Sequence, residues 1–403
     1  MKIIYLSFQD DNGGAFIGAK RLNHALIKQG VESSMLVRQK VSNDPHVIQY
    51  SENIKEFQKR FNRLIVAKMG EWRKNLKGTN SFNLRHTGVH KIINKSDAEC
   101  VIMHWIGNDT ISIREIALID KPIIWRLADM WAFSGCTHYS DDKELDALEN
   151  PSSPIKGSID KFVWSRKKKS WQDLQMKIVC GSEWLSSKVR LSSILKNYET
   201  FTIPSSLNTD IFAPSRNDNN KNSHECNLLF GANNALKDPR KGFDLLIEAI
   251  VILKKYKPDL RIKLKVFGHN KQEKLNIRGI KVNSVGYIKE EVVMSKLYQE
   301  ADIFMIPSRA DNLPFTAMES LSCGTPVVGF AIGGIPEIVD HQVNGFLASP
   351  FNCNELAEGI EWIIISRKSS NLLQTKAREK ASRLYSYQSQ AKSYINLIDS
   401  MTS

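Results

Sequence analysis

The sequence predicts an α/β protein of two doubly wound domains that face each other across a cleft. Three observations carry this. Short β-like runs alternate with helical stretches along all 403 residues, the pattern of βαβ units and parallel sheets. The polar segment Pro214–Glu225 (PSRNDNNKNSHE) splits that alternation into two similar halves and has almost nothing to bury. The length suits two or three domains.

The strand candidates of the first half are Lys2–Ser7, Ser34–Val37, Cys100–Trp105, Pro122–Leu127 and Lys177–Cys180. Those of the second half are Asn227–Gly231, Lys263–Gly268, Lys281–Gly286, Ile303–Pro307 and Val327–Phe330. Most are rich in β-branched and large apolar residues. The domains are therefore expected over residues 1–207 and 208–384. Near the chain end, Tyr385–Met401 carries Tyr394, Leu397, Ile398 and Met401 at helical spacing. This helix, within residues 385–403, is free to pack back on the first domain.

Composition narrows the class. Hydrophobic content of 42% and charged content of 25% are ordinary for a soluble globular protein. The apolar run around Val327–Ile332 is far too short to span a bilayer. The start, MKIIYLSFQDD, reads as a first strand rather than a signal peptide, so a cytoplasmic location is expected. The six cysteines form no CxxC pair, which argues for reduced structural thiols. Of the net charge of +13, residues 1–200 carry +9 and residues 201–403 carry +4. Such an excess of base suggests an anionic partner.

Two basic stretches bear on that partner. Ile54–Met69 reads as an amphipathic helix with Ile54, Phe57, Phe61, Leu64 and Ile65 in one stripe. Trp164–Trp171 (WSRKKKSW) interleaves cations with aromatics. Each fits an anionic membrane surface, and each fits equally a helix packed on the core with solvated lysines. No nucleic-acid motif is present, so no nucleic acid is expected as a partner.

The densest pattern lies at Pro307–Asp340. The strand Ile303–Pro307 leads into a loop holding Asp311, and Pro314 suits the start of the helix Phe315–Ser322. Such a helix start after a parallel strand is an anion site, so the Phe315 and Thr316 amides are candidates to hold a diphosphate. Glu319 follows about one turn on, where a carboxylate suits a ribose diol. Asp311 can reach a sugar hydroxyl beyond the phosphates. Upstream, Arg240 and Lys241 follow the strand that ends at Gly231 and can neutralise a leaving diphosphate. No D-x-D ends an apolar strand, so no metal is expected. Gly13-Gly14 at the mouth of the first helix is not a G-x-G-x-x-G fingerprint, which removes the main support for a dehydrogenase.

These residues resemble the nucleotide-sugar site of glycosyltransferase family 4 (glycosyl transferases group 1), retaining enzymes of the GT-B fold with two Rossmann-like domains. Asp311 and Glu319 stand at the spacing of the family's E-x7-E motif. GTPVV (Gly324–Val328), GGIPEIV (Gly333–Val339) and VNGFL (Val343–Leu347) follow in the family's order. Lys241-Gly242 matches the family's K-G. The arginine that often follows the first strand is Ala232 here, and Arg240 is the candidate replacement. Gly286-Tyr287 resembles the loop beside the base, and Gly13-Gly14 the glycine loop facing the diphosphate and acceptor. The resemblance implies a nucleotide-diphosphate sugar as co-substrate and no other cofactor. It makes Asp311, Lys241, Arg240 and Glu319 the expected catalytic set, with the Asn312–Leu313 backbone orienting the hexose. A sugar-nucleotide epimerase of the same fold matches these motifs less well.

VIMHWIGND and IIWRLADMWAFSGCTHY resemble an exopolysaccharide, colanic-acid-type subgroup. That resemblance implies a saccharide acceptor, polyprenyl-linked, at the inner face of the cytoplasmic membrane. Ala128 stands where the subgroup has a histidine that contacts the transferred sugar. Asp129 keeps its place, and His104 and His138 are the nearest substitutes by sequence. Three accounts stay open: an introduced inactivating change, a substituted group, or a protein that binds donor and turns it over weakly.

Overall fold

The structure is a computed structural model that describes residues 1–11, 13–52, 54–73, 79–149, 158–215, 225–269 and 271–402. The chain forms two compact units, Met1–Ile203 with Gln390–Ser403, and Pro204–Ser389.

In the first unit the strands are β1 (Lys2–Gln9), β2 (Glu32–Gln39), β3 (Val47–Gln49), β4 (Cys100–His104), β5 (Ile123–Leu127), β6 (Met176–Cys180) and β7 (Thr200–Thr202). They form one sheet in the order β3-β2-β1-β4-β5-β6-β7. Every pair is parallel. β4 and β5 are buried along their whole length, as strands are when helices cover both faces. The strand order reverses between β1 and β4, which opens a crevice at their carboxyl ends. The core beside β5 holds Trp125, Trp131 and Trp171, with the Trp125 and Trp171 rings edge-on at 4.9 Å. Two of these buried indoles make hydrogen bonds: Trp131 Nε1 donates to Ser81 O at 2.8 Å and Trp171 Nε1 to Ile113 O at 2.9 Å.

The second unit holds β8 (Glu225–Gly231), β9 (Arg261–Phe267), β10 (Gln272–Ile277), β11 (Ile280–Val285), β12 (Ile303–Ile306), β13 (Val327–Phe330) and β14 (Gly345–Ala348). The order is β10-β11-β9-β8-β12-β13-β14, and only the β10–β11 pair is antiparallel. Here the reversal falls between β8 and β12. Arg278 and Gly279 make the β10–β11 turn with φ of 51° and 80°, as a two-residue hairpin demands.

Three expectations need correction. The polar stretch Pro214–Glu225 does not divide the units. The division falls at Ile203, because Leu207 and Phe212 are already buried in the second unit's core. Arg378 also donates to Thr209 O at 2.9 Å and Phe212 O at 2.7 Å, tying that segment down. Residues 216–224 of the stretch lie outside the described residues. The cluster Trp164–Trp171 offers no aromatic face to a membrane, since Trp164 and Trp171 are core residues. Its Lys167 is fully buried, donating to Trp131 O, to Ser134 O at 3.1 Å and to Gly135 O at 2.7 Å. The helix expected at Ile54–Met69 spans Glu56–Arg73, and its apolar residues divide between two faces. Ile65, Met69 and Trp72 pack inward, while Phe57, Phe61 and Leu64 are exposed.

Candidate active site

The second unit gathers its candidate side chains at the β8/β12 reversal. After β8, a short 3₁₀ turn at Pro239–Lys241 is capped by Asp238, whose Oδ1 accepts the Arg240 N–H at 3.0 Å. Gly242 then takes a φ of 71°, and a Cβ there would lie 1.9 Å from Pro307 O. Only glycine lets this turn abut the loop that leaves β12. The Arg309 N–H donates to Arg240 O at 2.7 Å and closes the two segments together.

That closure sets Asp311 against both cations. Lys241 Nζ lies 2.6 Å from Asp311 Oδ2, and Arg240 Nη1 lies 3.8 Å from Oδ1. Ser308 Oγ donates to Oδ2 at 3.3 Å, and Arg240 Nη1 donates to Ala310 O at 2.9 Å. Burial alone would raise the Asp311 carboxyl. The charges of Lys241 and Arg240 outweigh it and hold the pKa below the ordinary value, so Asp311 is ionised at neutral pH. The Gly333-Gly334 turn fixes the Asp311 backbone: Gly334 N–H donates to Asp311 O at 3.1 Å, and a Cβ on Gly333 would meet that oxygen at 2.0 Å.

Asn312 and Leu313 are buried beyond Asp311, and Pro314 stands as the N-cap of the helix Phe315–Ser322. Among the described residues no side chain caps this helix, and its N-terminal dipole points toward the loop. Glu319 is 7% exposed and accepts the Tyr298 hydroxyl at 3.0 Å. Tyr298 is held by Phe304, edge-on at 5.5 Å. Gly231 is explained by packing, since a Cβ would meet the Phe267 ring at 2.3 Å. Gly286, at φ 81°, accepts the Gly268 N–H at 2.9 Å and presents Tyr287, which is 44% exposed.

The remaining candidates lie in the first unit. Gly13, at φ 134°, is the N-cap of the helix Gly14–Lys28 after β1. His104 is a core histidine: Nδ1 lies 2.7 Å from the Tyr5 hydroxyl, and burial, helped by Arg126, pushes its pKa well down. His138 is held at both nitrogens. Nδ1 lies 2.6 Å from Asp129 Oδ2 and Nε2 lies 2.8 Å from Ser81 Oγ. Because Ser81 Oγ accepts the Asn108 N–H at 3.0 Å, its own hydrogen can point to Nε2, which leaves Nδ1–H for Asp129. The imidazole also stacks on Trp105 at 5.1 Å. His104 and His138 are thus held by core partners. Ala128, Asp129, Trp105, Arg126 and His138 line a cavity of about 20 Å³, room for one water.

The structure therefore brings Arg240, Lys241, Asp311, Asn312, Leu313, Phe315 and Thr316 onto adjoining loops, with Glu319 one turn along. Gly13, Gly14, His104, Asp129 and His138 belong to the other unit. Sequence reasoning missed Asp238, Tyr298 and Ser308. Asp238 before Pro239 was a readable cap signal. Nothing in sequence marks Tyr298 as the partner of Glu319.

Known proteins resemble this chain in part of its sequence and in its fold. An uncharacterised glycosyltransferase of Methanocaldococcus jannaschii is 29% identical over 210 residues, covering 50% of this chain and 54% of that protein. The chain spans 36%, 30% and 54% of the lengths of three curated glycosyltransferases it matches. Among solved structures, sucrose-phosphate synthase of Thermosynechococcus elongatus superposes with a TM-score of 0.67 at 17% identity, over 99% of this chain and 98% of that one. HepE of Anabaena, solved with UDP-glucose, gives 0.66 at 14% identity, over 99% and 100%. The fold is that of GT-B glycosyltransferases, two Rossmann-like units. Residues 227–366, which hold the Lys241–Asp311 pair and the Glu319 helix, match the family of glycosyl transferases group 1.

Proposed function

We propose that the chain is a retaining glycosyltransferase of family 4 that moves a hexose from a nucleotide-diphosphate sugar to a saccharide acceptor. The observation that carries this reading is the Lys241–Asp311 pair at the β8/β12 reversal, beside the helix start at Phe315. As the glycosidic bond breaks, negative charge grows on the departing phosphate oxygen. Arg240, Lys241 and the helix N-terminus are the groups that stabilise it. Asp311, with the Asn312–Leu313 backbone, orients the hexose hydroxyls. Glu319, aimed by Tyr298, accepts hydrogen bonds from the ribose diol. The motif resemblance supports retention, and the UDP-glucose complex of HepE makes UDP-sugars the first donors to test.

The acceptor in this reading is a lipid-linked saccharide of cell-surface polysaccharide synthesis, as the exopolysaccharide-type motifs suggest. The enzyme then works in the cytoplasm, peripherally on the inner face of the membrane. Among the described residues no helix is long and apolar enough to cross a membrane.

The test is turnover with a panel of UDP- and GDP-sugars, following nucleoside diphosphate release and the anomeric configuration of the product by NMR. Acceptor-dependent release with retained configuration is expected. Ala128 favours a second reading, a nucleotide-sugar-binding protein of little or no activity. Donor binding without transfer or hydrolysis in that panel would establish it. A gain of transfer in Ala128→His would argue that the rest of the site is intact.

A further inference from the structure

Lys167 is a buried amine that the donor site does not use. It lies on the helix Ser158–Ser170 and is fully buried in the first unit. Its three hydrogen-bond partners, Trp131 O, Ser134 O and Gly135 O, all belong to the loop that leaves β5. Three carbonyls match the three N–H groups of an ammonium, whereas a neutral amine has two. The Trp131 ring completes the surroundings, its centroid 3.8 Å from Nζ. The same helix holds the next residue of the loop with the opposite chemistry. Asp160 Oδ1 accepts the Cys136 N–H at 2.7 Å. Gly135 permits this approach, because a Cβ there would overlap the Asp160 carboxylate. One helix thus satisfies by side chains the backbone groups that a sheet ladder would otherwise pair.

That loop carries Asp129 and His138, and the Lys167 contacts reach both. Lys167 holds Trp131 O, while the Trp131 N–H donates to Asp129 Oδ1 at 3.0 Å. Asp129 Oδ2 lies 2.6 Å from His138 Nδ1, and the Met130 N–H donates to His138 O at 3.0 Å. Releasing the three carbonyls therefore loosens the segment that fixes both oxygens of Asp129.

The two protonation states of Lys167 are closely balanced. The ammonium satisfies all three carbonyls and buries a charge. The free amine leaves one carbonyl short of a donor and buries none. The titratable groups that face Nζ are Cys136 and Asp129 of the loop and Asp160 of its own helix. Burial outweighs them and pulls the pKa down to about 7. Water restores the ordinary value of about 10.4 once the loop lifts. The open loop then binds the proton more tightly than the closed one, so protonation favours opening. Opening is greatest below about pH 7 and falls up to about tenfold per pH unit above it.

We propose that Lys167 is a proton-operated latch on the loop of residues 128–138 and, through it, a positioning residue for Asp129. As the free amine it keeps the loop closed. On taking up a proton it lets the loop lift into water. It acts by holding structure and touches no substrate. The latch belongs to the first unit and stands apart from sugar transfer; only its effect on turnover rests on the transfer reading.

Two measurements test the latch. In protein labelled with ¹³C at lysine Cε, the Trp131 ring current sets the Lys167 methylene apart from the others, which assigns it without a variant. Its titration midpoint should lie near 7, and a midpoint among the other lysines overturns the latch. Hydrogen exchange reads the loop itself, at the amides of Phe133, Ser134 and Cys136 under conditions where closing outpaces exchange. Exchange at a constant opening rises about tenfold per pH unit, so these amides should stay nearly flat between about pH 7.5 and 9.5 while amides elsewhere rise. A tenfold rise in the loop overturns the proposal. Lys167→Met, where it folds, should restore that rise, and a flat profile in it counts against Lys167. His138→Gln should keep the flat profile, and a restored rise there makes the histidine the sensor and overturns the proposal. Wild-type protein with the flat profile and no sugar transfer leaves the latch standing and counts against the transfer reading. Transfer with an ordinary rise in the loop does the reverse.

Discussion

Lys241 and Asp311 join the two strands between which the second sheet changes direction, with 2.6 Å between Nζ and Oδ2. One residue follows β8 and the other follows β12, so the pair spans the crevice where open α/β sheets bind ligands. Removing one partner leaves the other buried and less compensated. Lys241→Met should cost about 2–3 kcal/mol, tempered by the remaining Arg240. Urea denaturation reads this directly, and a loss under about 0.5 kcal/mol would mean the pair is loose in solution.

Acid stability carries the same signature. The folded pKa of Asp311 lies below its unfolded value, so the unfolded chain takes up this proton first as pH falls. The contribution is complete above about pH 5 and is lost as pH drops through the folded pKa. Asp311→Asn should flatten the acid limb of the stability curve. An unchanged limb counts against the ion pair.

Donor affinity should depend on Glu319. Glu319→Ala removes the carboxylate proposed for the ribose, and affinity for a nucleoside diphosphate should fall at least about tenfold. Tyr298→Phe keeps the ring packing and deletes the 3.0 Å hydrogen bond, so a smaller loss of affinity is expected. Calorimetry on both variants separates contact from orientation. Full affinity in Glu319→Ala removes Glu319 from the site.

Gly333 should tolerate no side chain. Its φ of 57° is strained for other residues, and a Cβ would overlap Asp311 O at 2.0 Å. Gly333→Ala should lose about 2 kcal/mol or more. Gly30→Ala is the control, because its φ of 85° is equally unfavourable while nothing lies within 4 Å. It should lose about 1 kcal/mol. Equal melting temperatures for the two would show that the Gly333–Asp311 contact is not rigid.

Lys167 should prove structural. Lys167→Met leaves three buried carbonyls short of a donor and removes an amine, its pKa pulled down to about 7 by burial, that sits 3.8 Å from the Trp131 ring, at a cost of about 3 kcal/mol. Thermal unfolding checks this, and stability within about 0.5 kcal/mol of wild type would argue that water replaces the amine.

Much of the fold was legible because parallel strands buried on both faces read as apolar runs. β4 and β5 are such strands, and each of the ten strand candidates overlaps an observed one. β10 was missed because an edge strand has one paired side and alternates, and QEKLNI carries few apolar residues. β3 and β7 are three residues each, too short for a period. At the site, local chemistry was readable: the Gly333-Gly334 turn, Pro314 at the helix start and the acids at positions 311 and 319. Pairings across the sheet were not, since Lys241 and Asp311 are 70 residues apart. The basic stretches were ambiguous for a related reason. Hydrophobic periodicity says that a stripe exists, and only tertiary packing says that Trp164 faces inward while Phe57 faces out.

The company kept by Arg240 and Lys241 has a kinetic consequence. Asp238 and Asp311 stand beside them, so the formal charges of the four side chains cancel. A neutral quartet projects little field into solvent, and a phosphorylated ligand gains no long-range attraction from it. Under the proposed function, recognition there is an exchange of ionic partners at contact, and association rates should respond only weakly to ionic strength. On departure of the ligand, Asp311 is already in place to receive both cations again.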